Sequence, residues 1–90
     1  MSITSNVPIQ MFSTTNTTGE MIPLKFRFED QDHTVQTVKI DTILGCQECN
    51  YVGQKGIKYV CSTTKEGYEV LFEIKFLLLS HKWILLKVLN

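Results

Sequence analysis

The chain has 90 residues, 43% of them hydrophobic, and nine basic against nine acidic side chains leave no formal net charge. A chain of this length folds as one domain with a single modest core, burying about 60–65% of the surface its unfolded form exposes. With no overall field to draw in phosphate backbones or anionic lipid, nucleic acid is a disfavoured partner and a membrane surface is not expected as one.

Residues 1–6 show no periodicity and are expected to be a flexible N-terminus. The first 19 residues hold no charged side chain and no continuous apolar run, so no signal peptide is expected here. Val7, Ile9 and Met11 then share one parity and predict a first strand over residues 7–12, with Pro8 tolerable at a sheet edge. Residues 13–19 are Ser, Thr, Asn and Gly, which predicts a loop closing a hairpin.

Leu24, Phe26 and Phe28 alternate with Lys25, Arg27 and Glu29, predicting a second strand with one wet face. Residues 29–33 form an acidic turn. Val38 and Ile40 have one parity and Val35 and Ile43 the other, so the third strand is expected to carry a bulge or bend. Residues 45–56, with Gly45, Gly53 and Gly56, show no period and predict a long connection. Ile57, Tyr59 and Cys61 share the inner face of a fourth strand, and residues 64–67 form a turn.

From residue 68 to 78 every even position is large and apolar (Tyr68, Val70, Phe72, Ile74, Phe76, Leu78). Glu69, Glu73 and Lys75 hold odd positions, which is the mark of a half-buried strand. Glu, Leu and Lys here also suit a helix, but strict period two in Tyr, Val, Phe and Ile argues against one. After a turn at residues 80–82 comes a sixth strand, residues 83–89. The expectation is one all-β domain over residues 1–90, a six-stranded antiparallel meander curled into a small barrel or half-barrel.

Three cysteines suit no disulfide framework and point to a reducing, cytoplasmic setting. Cys46 and Cys49 have the spacing of half a zinc site. No second pair completes it, and Cys61 belongs to an apolar strand face, so no metal or cofactor is expected. Glu29, Asp30, Asp32 and Asp41 lack the Gly and the twelfth-position Glu of a calcium loop. His33 and His81 have no nucleophile at a motif spacing, so no enzyme and no catalytic residue is expected. Phe26 and Phe28 alternate away from Lys25 and Arg27, which argues against a base-stacking face built from them. Residues 76–79 and 83–86 are too short to cross a membrane.

What remains is an apolar set on the face that should be wet. Leu71, Leu77 and Leu79, with Trp83 and Leu85 in the last strand, are the candidate interaction surface unless barrel closure or Met11 and Phe12 cover them. The expected function is a non-enzymatic interaction module that binds a protein partner or a second copy through this C-terminal hairpin. The alternative is a small barrel for single-stranded nucleic acid.

Several stretches resemble a group of short uncharacterised bacterial β-domain proteins. They are Pro23-Leu24-Lys25-Phe26-Arg27-Phe28-Glu29-Asp30, Val35-Gln36-Thr37-Val38-Lys39-Ile40, Tyr59-Val60-Cys61, Glu73-Ile74-Lys75-Phe76 and His81-Lys82-Trp83-Ile84-Leu85-Leu86-Lys87-Val88. The resemblance spans residues 7–89. It implies an intracellular stand-alone β-domain, supplies no catalytic residue, and involves neither Cys46 nor Cys49.

Overall fold

The computed structural model describes residues 6–89, the side chain of Tyr51 excepted. The flexible stretch expected for residues 1–6 lies, Asn6 apart, outside the described residues. The strands are β1 (Val7–Thr15), β2 (Met21–Glu29), β3 (Val35–Lys39), β4 (Thr42–Tyr51), β5 (Gln54–Lys65), β6 (Tyr68–Leu77) and β7 (Lys82–Val88). All pairings are antiparallel, in the order β3-β2-β1-β7-β6-β5-β4, and the sheet curls into a half-barrel.

Two corners produce the curl. β1 pairs through Val7 and Ile9 with Leu85 and Trp83 of β7, and from Gln10 onward with β2. The second corner is Ile40-Asp41, which joins β3 to β4, the two ends of the strand order. The Ile40 amide donates to the Leu24 carbonyl of β2 at 2.9 Å, and the Asp41 amide to the Ser62 carbonyl of β5, also at 2.9 Å. A run of chain that bends while changing pairing partner is how a curled sheet turns a corner. The expected third strand is therefore two, and seven strands stand where six were expected.

Residues 45–56 are not a connection. β4 continues through them to Tyr51, and Val52-Gly53 turns the chain directly into β5. Both turn residues have positive φ (51° and 78°), as do Glu66 and Gly67 (51° and 82°), the primed geometry that matches strand twist. The period is hidden in β4 because Leu44 is skipped between the pairs Ile43–Cys61 and Gly45–Val60.

The core is Phe26, Ile40, Tyr59, Cys61, Phe72, Ile74, Trp83 and Leu85, with Val7, Ile9, Met11, Phe28, Ile43, Ile57 and Phe76 packed against it. Rings dominate one end of it, with Trp83 centred 4.9 Å from Phe76 and 5.6 Å from Tyr59. Parity locates most of this set and fails at three places. Leu24 is exposed because the β1–β2 register skips it, and Pro23 takes the buried place. Tyr68 and Leu78 are exposed because they sit where the β6 ladder ends.

Candidate interaction surfaces

The expected second apolar face divides. Trp83 and Leu85 are 8% and 5% exposed and point into the core, so they are not surface residues. The turn after β6 pairs Phe76 with Trp83 and Ile74 with Leu85, which places even residues of β6 and odd residues of β7 on one face. Leu71 and Leu77 do face outward, half-buried, but Glu73 and Lys75 separate them on that face. Six residues of strand put them about 20 Å apart. Leu79 is 94% exposed in the turn, beside Leu78 at 42%. Met11 packs on the core and Phe12 lies over another layer, so neither covers the leucines.

The acidic turn is a folded structure of its own. The Asp30 carboxylate accepts from the Asp32 and Thr34 amides and from the Gln36 side-chain amide, at 2.9–3.0 Å. These donors, Gln36 foremost, hold its carboxyl below the usual range. Asp41 is used likewise, accepting from the Thr64 amide at 2.8 Å across the corner. Both carboxylates thus hold backbone in place. The cysteines are separated by parity: Cys46 pairs with Tyr59 on the inner face and Cys49 with Gly56 on the outer face. All three thiols are free, and no cluster of three metal-ligating side chains occurs among the described residues.

Two gaps open beside the Ile40-Asp41 corner, and neither leaves a signal in the sequence, because both arise between strands distant along the chain. One, about 520 Å3, lies between β3 and the end of β5 and is of mixed character, with Phe28 and Val38 beside Thr37, Lys39, Thr63 and Lys65 in its walls. The other, about 590 Å3, lies between the start of β2 and β4, and Met21, Ile22, Ile43, Ile57, Phe76 and Leu78 make it apolar. The Tyr59 hydroxyl spans this gap and donates to the Met21 carbonyl at 3.0 Å. Burial, then the neighbouring Cys46, Cys61 and Glu20, push its phenol up to about 12.

The wall on the β4 side is a strand edge. Among the described residues β4 pairs only with β5, so its far side presents unpaired main-chain groups along ten residues. The bulge at Leu44 and the single charge of Glu48, opposite Ile57, are all that blunts this edge: it has neither Pro nor Lys and is long for an edge strand. Leu78 links the gap to the exposed end of the C-terminal hairpin. No helix among the described residues is long and apolar enough to cross a membrane. No protein-family model, curated protein or solved structure matches the chain.

Proposed function

We propose that the protein is a non-enzymatic interaction module that receives an extended segment of a partner protein along the free edge of β4. One observation carries the reading: a ten-residue edge that no strand among the described residues pairs runs beside an apolar gap of about 590 Å3. An added strand satisfies the edge through main-chain hydrogen bonds, and its alternate side chains enter the gap, which is how strand addition combines affinity with specificity. Leu78 stands at the rim with Leu79 next to it in the turn, so the exposed end of the C-terminal hairpin remains in the reading while Leu71, Leu77, Trp83 and Leu85 leave it. Glu20 is the one charged residue lining the gap, which favours a segment with a basic residue next to its apolar positions. The three free thiols suit work in the reducing cytoplasm.

Selection of a random linear peptide library on the immobilised protein tests this. Enriched peptides are expected to alternate large apolar residues, and to bind at least tenfold more weakly to Cys46→Glu, an exposed position that carries charge into the gap. Absence of enrichment, or peptides whose binding ignores both Cys46→Glu and Leu78→Glu, would overturn the reading.

A further inference from the structure

Away from the β4 edge, on the outer face of the three-stranded layer, the registers set two rows of side chains. Phe12 of β1 lies opposite Lys25 of β2, which lies opposite Lys39 of β3; the adjacent row is Gln10, Arg27 and Thr37. Paired residues share a face and rows two residues apart share it too, so these six side chains form one patch. It is about 10 Å across the strands and about 7 Å along them. The patch holds three cations and no carboxylate. Glu29, one row further on, faces the His33 Nδ1 at 3.5 Å.

We propose that this patch binds single-stranded nucleic acid, with Phe12 as the surface on which a base stacks and Lys25, Arg27 and Lys39 as the phosphate contacts. Phe12 points away from the core that its neighbour Met11 enters, so burial against the core does not account for a ring here. The Lys25 Nζ lies 5.0 Å from the ring centroid and the Arg27 Cζ 5.2 Å, so aromatic and basic groups share one face. Alternation along β2 alone hides this, because the ring comes from β1. Lys25 and Lys39 stand directly opposite, an arrangement of like charges that opposes strand pairing and that an anion between them relieves. All three cations are exposed, and Phe12 is half-exposed.

The chain's zero net charge does not weaken a local field of this kind, because solvent ions screen the distant carboxylates within about 10 Å. Stacking on one ring with a few phosphate contacts is tolerant of sequence, so the occupant is a flexible single strand rather than a particular base order. A duplex keeps its bases stacked on each other and offers only its backbone.

The test is anisotropy of a labelled mixed-sequence DNA strand of about 12 nucleotides at about 50 mM salt, where backbone contacts are strongest. Binding in the range of about 10⁻⁶ to 10⁻⁴ M is expected, with log K falling against log salt at a slope near −2 for three contacts. Phe12→Leu is expected to weaken it about fivefold or more, and Lys39→Gln, a near-isosteric change at an exposed position, to flatten the salt slope. No anisotropy change at about millimolar protein, ten times the weakest expected Kd, would overturn the proposal. Equal binding of duplex with no effect of either variant would overturn it too, as would a preference for phosphatidylserine vesicles over the oligonucleotide.

Discussion

The Tyr59 hydroxyl reaches from the middle of β5 to the Met21 carbonyl at the first residue of β2, 3.0 Å away and 38 residues distant in sequence. It is a direct hydrogen bond across the apolar gap, from a residue only 3% exposed. Tyr59→Phe keeps the ring against Trp83 and removes only this bond. The expected cost is about 1 kcal/mol, since the Met21 carbonyl is left near solvent and can recruit water. Urea denaturation of the two proteins measures it, and amide exchange around Met21 should rise in the variant.

Gly56 is held by contact and Gly45 is not. A Cβ on Gly56 would lie 2.6 Å from the Phe76 carbonyl oxygen of the neighbouring strand, whereas one on Gly45 meets nothing within 4 Å. Gly56→Ala is therefore expected to lower stability by about 1–3 kcal/mol through forced strand separation. Gly45→Ala should change stability by less than about 0.5 kcal/mol. Paired thermal melts decide.

The three thiols should separate by reactivity. Cys46 is exposed, Cys49 is half-buried and Cys61 is fully buried, with burial, then Cys46, pushing its thiol up to about 12. A disulfide reagent at neutral pH is expected to titrate Cys46 first and Cys49 next, and to reach Cys61 only in denaturant, because only the accessible thiolate attacks.

Alkali should destabilise the fold over a defined window. The ordinary values are 9.0 for the thiol and 10.0 for the phenol, and folding raises both Cys61 and Tyr59 to about 12. Between those limits the unfolded chain has released protons that the folded chain still holds, so stability falls as pH rises from about 9 to about 12. For Cys61 the full effect is of order 4 kcal/mol. Denaturation midpoints at pH 8 and 11 test the slope, which Cys61→Val should reduce. At the acid end the sign reverses. The lowered Asp30 contributes above its ordinary value of 3.8, and its contribution is lost as pH falls below that.

Leu85→Ala is expected to cost about 2–5 kcal/mol as a core truncation, while Leu79→Ser, at a residue 94% exposed, should be close to neutral. Equal effects in calorimetry would contradict the inward orientation of β7.

That contrast marks how far the sequence could be read. Period two in β6 located Phe72 and Ile74 in the core, and the parity of β5 located Tyr59 and Cys61, because alternation within one strand is a local property. Which face of β7 matched which face of β6 depended on the turn before it and on Leu86, the extra residue between the pairs Glu73–Lys87 and Ile74–Leu85. Neither leaves a mark in the alternation of residues 83–89. The same limit concealed the Phe12–Lys25–Lys39 row, since register between strands decides who stands beside whom. From residue 45 onward β4 looks like a connection in the sequence because Gly45, Cys46, Cys49 and the skipped Leu44 blur its alternation.

Among the described residues, five of the six strand pairings join neighbours along the chain, and only β1 with β7 joins the two ends, through three residue pairs that bring Val7 against Leu85. Closing a loop of that length costs about 4 kcal/mol in chain entropy, which three rungs worth about 1 kcal/mol each do not offset. Burial of Val7 and Ile9 against the core supplies the remainder. The hairpins, each over a short span of chain, are therefore expected to form first and the β1–β7 seam to close last. Thermal opening is expected to begin at the same seam, leaving the Ile40-Asp41 corner and the Tyr59–Met21 hydrogen bond as the remaining ties between the two ends of the half-barrel.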